Sequence, residues 1–301
     1  MRVWRIAVLG LLSACGADAL GEGVDLQVAV DDLRHGPHHG GLQRVTLATG
    51  VELAYWEQGA AHGIPVILLH GYTDSHHSFD LNLPRLPRSL HVFALDQRGH
   101  GESSKPACCY TQADFAADVP AFMDAVGLEH ASVVGHSMGS FIAQSVALAF
   151  PERVDRLVLI GSAPTIAGNP VALELQAAVD ALSDPIDPGF VRDFQASTFY
   201  RPVPASFLDT AVAESLKVPA SIWQQALAGL LDEDHSNHLQ EIAARTLILF
   251  GDQDIFVSAA EQAALDTEIQ RSRLITYRQT GHGLHVELPE RVSNDIVRFL
   301  H

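Results

Sequence analysis

The chain has 301 residues, 47% hydrophobic and 18% charged, a composition suited to one large water-soluble domain with an insertion. Acidic residues outnumber basic ones 36 to 19, giving a net charge of −17. That balance argues against nucleic acid as a partner, because phosphate binding needs clustered Lys and Arg.

The N-terminus reads as a targeting segment. Met1 to Arg5 is basic, and Ile6 to Leu12 is apolar but too short to span a bilayer. Leu12-Ser13-Ala14-Cys15 follows and resembles the bacterial lipoprotein cleavage box, in which the cysteine becomes the lipidated first residue. That resemblance implies a signal peptide over 1–15 and an exported protein held to a membrane by lipid on Cys15. Cleavage after Ala17-Asp18-Ala19, giving a secreted soluble protein, is the competing expectation. Residues 16–42 have no periodicity and read as a flexible linker, the histidines at 35, 38 and 39 included.

From residue 43 onward the pattern is that of a folded domain. Arg44–Gly50 and Val51–Trp56 alternate like a hairpin, with Thr49-Gly50 at the turn. Pro65–Leu69, His91–Leu95 and Ser132–Val134 are apolar runs expected of strands buried on both faces. Arg156–Gly161, Arg245–Phe250 and Arg273–Tyr277 complete the set. Thr111-Gln-Ala-Asp114 opens a helix that should run to Val126, stop at Gly127 and kink at Pro120. Helices are also expected over Ser140–Phe150 and Pro289–Leu300. Strands alternating with helices predict a mostly parallel sheet of about eight strands covered on both faces. Between 167 and 241 the alternation gives way to four successive helices, at about 171–183, 188–198, 204–217 and 219–232. This block reads as a cap over the carboxyl edge of the sheet, where active sites of open α/β sheets lie. Adjacent Cys108 and Cys109 are expected to be thiols in a loop rather than a disulfide.

The stretch with chemistry is Gly135-His136-Ser137-Met138-Gly139, set between a strand and a helix. A serine on so sharp a turn presents its hydroxyl above the sheet edge, and the flanking glycines relieve crowding. A serine nucleophile needs a base, an orienting acid and oxyanion donors. His282, in Thr280-Gly-His-Gly-Leu-His285 after the last strand, is the candidate base, and nearby His285 is expected to serve packing or gating. Asp254 in Gly251-Asp-Gln-Asp254 is the candidate acid, and Asp252 is expected to hold the turn. The backbone N–H groups of Tyr72 and Met138 are the candidate oxyanion hole. His76 and His77, just past that first turn, are expected to be solvated at a helix start.

In order and setting, Ser137, Asp254 and His282 resemble the α/β-hydrolase superfamily over residues 43–301. Asp96-Gln-Arg-Gly-His-Gly-Glu-Ser103 and the Gly281, His282, Glu287, Pro289 tail are further family-like pieces. Ser258 is a departure, since many relatives have proline there. The resemblance implies an acyl-enzyme mechanism with no metal or organic cofactor, acting on small esters or lactones. Activity should fall on the acid side as His282 protonates. Relatives that cleave carbon–carbon bonds usually carry asparagine where this chain has His136. A cofactor-free perhydrolase or haloperoxidase-like enzyme, and a non-catalytic ligand-binding surface protein, are the alternatives. Among the cap aromatics Phe190, Phe194, Phe199, Tyr200, Phe207 and Trp223, one or two should line an acyl pocket.

Overall fold

The computed structural model describes residues 40–301. The expectations for Cys15, the signal segment and most of the linker lie outside these residues. Eight strands form one sheet: β1 (Gly41–Thr46), β2 (Glu52–Gly59), β3 (Ile64–Leu69), β4 (Leu90–Leu95), β5 (Ala131–His136), β6 (Val154–Ile160), β7 (Arg245–Gly251) and β8 (Ser272–Tyr277). Their spatial order is β1-β2-β4-β3-β5-β6-β7-β8. The first two strands run antiparallel to their neighbours, and β4 to β8 pair in parallel through β3.

The apolar runs are continuous because each strand buries both faces. Ile67 and Leu69, with Val133, Leu159, Ile248 and Phe250, join one core. Val66 and Leu68, with Val134, Val158, Leu247 and Leu249, join a second. Helices α1 (Gln112–Val126), α2 (Met138–Ala149) and α7 (Ala259–Glu268) supply the first core with residues such as Phe122, Ile142 and Leu265. After the single turn α8 (Leu284–Glu287), helix α9 (Pro289–Leu300) closes the second with Val292, Ile296 and Leu300, one residue per turn.

Local chemistry sets the ends of these helices. Thr111 and Asp114 make the capping box at the start of α1, and Gly127 ends it with a left-handed φ of 76°. The helix continues through Pro120, which is buried against the core. Helix α7 lacks a strong apolar face, burying only Gln262 and Leu265. Its start is nonetheless fixed by a Ser258–Glu261 capping box, a use for the serine that departs from the family-like pattern.

Four consecutive helices follow β6: α3 (Pro170–Asp180), α4 (Pro188–Ser197), α5 (Ala205–Leu216) and α6 (Ala220–Leu231). Asn169 and Asp187 cap the first two, and each of the four begins at or beside a proline placed in its first turn or cap. Their shared core is built on Trp223, which is fully buried. Phe190 and Phe194 pack on its ring at centroid distances of 6.0 and 5.6 Å. Trp223→Ala would leave a large void here. It is expected to cost about 3–5 kcal/mol of unfolding free energy, read from the urea midpoint.

Two expectations need correction. Cys108 and Cys109 are joined in a vicinal disulfide rather than left as thiols. His76 is not solvated: it is 5% exposed, and its backbone N–H and ring Nδ1 both bond Asp96 Oδ1 at 2.7 Å. His77 does stay half-exposed, bonded to Asp80.

Candidate active site

Ser137 sits between the end of β5 and the first residue of α2, at φ 51° and ψ −124°. A non-glycine residue adopts this backbone only when its surroundings force it. Here its N–H donates to Ile160 O at 2.9 Å, and Ser140 Oγ donates to its carbonyl at 2.6 Å. A Cβ at Gly135 would collide with the Gly139 backbone, and one at Gly139 with the carbonyls of Leu69 and His70. The two glycines therefore let strand and helix meet at this turn, with Ser137 at its tip lining a cavity.

His282 and Asp254 come from the loops after β8 and β7. Asp254 Oδ2 accepts from His282 Nδ1 at 2.7 Å, with the carboxylate fully buried and the imidazole 5% exposed. Asp254 Oδ1 accepts the N–H groups of Phe256 and Val257 at 2.8 and 3.1 Å, which fixes the carboxylate. His282 lines the same cavity as Ser137. The two side chains share the cavity without a hydrogen bond between them. Such bonds are often long before substrate arrives.

The family-like pieces around this trio act as supports. Glu287 accepts the N–H groups of Gly281 and Tyr200 at 2.9 Å and of Arg201 at 3.1 Å, tying the histidine loop to the end of α4. Burial raises its pKa, against the lowering effect of these bonds. Asp252 accepts the Gln279 N–H at 2.6 Å, holding the turn as expected. Asp96 also accepts the Glu102 N–H at 2.8 Å. Burial works to raise its pKa, but His76 and these N–H groups outweigh it and hold it at about 2. Arg98 pairs with buried Asp118 at 2.6 Å. His285 is buried behind His136, with ring centroids 4.2 Å apart, and its Nε2 meets Ser78 Oγ at 3.1 Å. Burial depresses its pKa to about 3.

Tyr72 lines the same cavity as Ser137, and Met138 directly follows the serine. Met138, as the first residue of α2, has no intrahelical acceptor for its N–H. The Tyr72 N–H likewise donates to no other group of the described protein. The helical block holds the Tyr72 turn in place. Tyr72 Oη donates to Trp223 O at 2.6 Å, and Thr73 Oγ1 meets Ser215 Oγ at 3.2 Å. Asp74 Oδ1 accepts from Gln195 Nε2 at 2.9 Å.

Above the trio the cavity is apolar, walled by Phe141, Leu175, Phe194, Phe199, Phe207 and Phe256. Phe194, Phe199 and Phe207 are thus the block aromatics that reach it. Trp223 serves the core, and Tyr200 is exposed to solvent. Among the described residues no cluster of three or more His, Cys, Asp or Glu is placed to hold a metal ion.

Asp74 is a polar cavity residue that sequence reasoning misses. It follows the Tyr72 turn, but the partner that defines its place, Gln195, is 121 positions away. No local spacing signals that pairing.

Comparison with known proteins bears on the fold and family. The chain is 28% identical over 275 residues to a non-heme chloroperoxidase of Streptomyces lividans, covering 85% of this chain and 98% of that protein. It is 28% identical over 274 residues to a 2-hydroxymuconate semialdehyde hydrolase of Pseudomonas sp. (strain CF600), covering 86% of this chain and 94% of that protein. The crystal structure of a hydrolase from Pseudomonas aeruginosa PA01 superposes with a TM-score of 0.78 at 28% identity, covering 87% of this chain and 99% of that one. The profile of the alpha/beta hydrolase fold matches residues 64–289, and the chain belongs to that family.

Proposed function

We propose that the protein is a serine hydrolase that cleaves carboxylic esters or lactones through an acyl-enzyme on Ser137. The observation that supports this most is the strained Ser137 at the tip of the β5–α2 turn, lining one cavity with the bonded His282–Asp254 pair. In this reading His282 Nε2 takes the proton from Ser137 Oγ as the hydroxyl attacks the carbonyl. Asp254 holds Nδ1–H and so keeps Nε2 available as the base. The N–H groups of Tyr72 and Met138 stabilise the oxyanion. His282 then protonates the leaving alcohol, and water attacks the acyl-enzyme by the same route. The apolar wall above the trio suits an aliphatic or aromatic acyl group.

A fluorophosphonate probe with peptide mapping tests the nucleophile. Labelling confined to Ser137, and lost in Ser137→Ala, is the expected result; no labelling of folded protein overturns the reading. A second reading is cofactor-free perhydrolysis, in which peroxide replaces water at the acyl-enzyme. The full-length similarity to a protein named as a chloroperoxidase favours testing it, through peracid formation from acetate and peroxide. Carbon–carbon bond hydrolysis is less favoured, because His136 precedes the serine here. For the N-terminal segment we propose export with lipid on Cys15; Cys15→Ser should then release the protein from membranes.

A further inference from the structure

Three buried polar side chains behind the nucleophile take no part in the chemistry proposed above. Ser140 and Gln144 stand one turn apart on α2 and so share a face of that helix. Ser162 comes from the segment just past β6. All three are fully buried, and none lines the cavity. Gln144 Nε2 lies 3.0 Å from both Ala163 O and Ser162 Oγ. Ser162 Oγ lies 2.8 Å from Ser140 Oγ, and Ser140 Oγ lies 2.6 Å from Ser137 O. Helix α7 steadies this row from behind, where Gln262 Nε2 donates to Ser162 O at 2.5 Å.

The proton directions along the row are set from its two ends. Ala163 O can only accept, so it faces the amide nitrogen of Gln144, whose second N–H donates to Ser162 Oγ. Ser137 O can also only accept, so the single proton of Ser140 Oγ goes there. The contact between the two hydroxyls is then donated by Ser162. The row therefore runs from Gln144 through Ser162 and Ser140 to the Ser137 carbonyl, each group donating to the next. Hydrogen bonds linked in this way polarise one another, which strengthens the last of them.

The carbonyl at the end of the row is one half of a peptide group, and the Met138 N–H is the other half. A peptide is planar and trans, so its C=O and N–H point in opposite directions. Holding Ser137 O from behind therefore aims the Met138 N–H outward from the start of α2. That N–H donates to no group among the described residues. A hydrogen bond on the carbonyl also draws charge through the peptide and makes its N–H a stronger donor. The Ser140 backbone N–H reaches the same oxygen at 2.7 Å, and the hydroxyl row adds to it.

The Tyr72 N–H is held in the same manner. His70 Nε2 accepts the Gln97 N–H at 3.0 Å, so the ring proton is on Nδ1, which donates to Gly71 O at 2.8 Å. That carbonyl shares its peptide with the Tyr72 N–H. Burying the row on α2 has a cost, since Gln144 Oε1 and Gln262 Oε1 have no partner among the described residues. Apolar side chains of the same shape should fill this layer with little loss of stability. The fold alone does not call for the row.

We propose that Gln144, Ser162 and Ser140 form a hydrogen-bond relay that positions and polarises the Met138 N–H as an oxyanion donor. All three are positioning residues. The assignment rests on the reading of Ser137 as the nucleophile and adds to it the support of one oxyanion donor.

Labelling only methionine with an NMR-visible nitrogen isotope reads this peptide directly in the full chain. The methionines are Met1, Met123 and Met138, so two internal amide signals are expected, and Met123 in α1 serves as the reference. Loss of a hydrogen bond from a peptide carbonyl moves the nitrogen of that peptide to lower frequency. Ser140→Ala should move the Met138 nitrogen that way. Ser162→Ala, remote in sequence, should move it less and in the same direction. Met123 should stay in place.

Kinetics with p-nitrophenyl butyrate supply the second readout. Ser140→Ala should lower kcat and kcat/KM together by about tenfold, a part of the roughly 10²–10³-fold that follows removal of a whole oxyanion donor. KM should hold. Ser162→Ala should lose less, and the double variant should match Ser140→Ala alone, because both act through one peptide. Affinity for a trifluoromethyl ketone, which adds to the serine as an oxyanion, should weaken in proportion to kcat/KM. Thermal melts check that folded proteins are compared. If Ser140→Ala does not fold, Ser162→Ala carries both readouts.

An unmoved Met138 signal, an unchanged kcat, a loss confined to KM, or full additivity of the two substitutions overturns the proposal. A Met138 shift in both variants upholds the relay even if the wild type hydrolyses no ester. In that case it is the hydrolase reading that falls.

Discussion

Ser137→Ala should lower kcat for ester hydrolysis by about 10⁵-fold or more while leaving the melting temperature nearly unchanged. The large kinetic effect follows from the proposed chemistry, since without Oγ no acyl-enzyme forms and His282 can at best activate a water. The small structural effect follows from the contacts of residue 137. Its N–H to Ile160 and its carbonyl to Ser140 are backbone groups that alanine keeps. Alanine also removes no hydrogen bond of the hydroxyl, which makes none among the described residues. The backbone strain at φ 51° remains, because it belongs to the turn rather than to the hydroxyl. Steady-state kinetics with a p-nitrophenyl ester series and parallel melts check both parts. Loss of activity together with loss of fold would contradict the assignment of a purely chemical role.

Asp254→Asn should cost about 10⁴-fold in kcat with a smaller change in KM. The aspartate does two tasks with its two oxygens. Oδ1 holds the N–H groups of Phe256 and Val257, and Oδ2 holds His282 Nδ1–H. An asparagine can keep the first task with its amide oxygen, so the loop survives. Its NH₂ then faces Nδ1, which must turn acceptor, and the proton moves to Nε2, the atom that should receive the Ser137 proton. The loss should shrink on the alkaline side if hydroxide replaces the missing base. A pH–rate profile of the variant against wild type measures this.

Much of the fold is legible in the sequence, because its pattern is local. Strands buried on both faces are continuous apolar runs, and the eight strands lie where those runs lie. The four block helices announce themselves by caps and prolines at 169–170, 187–188, 204 and 219. Helix α7 escapes such a reading because it buries only two residues, although its Ser258-x-x-Glu261 box was in plain view. The trio of Ser137, Asp254 and His282 is legible because each residue sits at a strand end with its own short motif.

What could not be read depends on contacts between distant positions. His76 looks like a solvated helix start until Asp96, twenty positions on, takes both its N–H and its ring. Asp74 looks like an ordinary turn carboxylate until α4 brings Gln195 onto it and the elbow brings His136 beside it. Glu287 and Asp96 stand in recognisable motifs, and only the hydrogen bonds reveal that they serve the loops rather than the reaction. The pairing of Cys108 with Cys109 is a local geometry that adjacency alone does not decide.

The most direct test of the central claim is to trap the acyl-enzyme. Wild-type protein is mixed with p-nitrophenyl butyrate, quenched in acid within the first turnover, and examined by intact mass and peptide mapping. A butyryl adduct on the peptide containing Ser137, formed with a matching burst of p-nitrophenol and absent from Ser137→Ala, is the predicted result. Hydrolysis that proceeds without an adduct, or an adduct on another residue, would contradict the account.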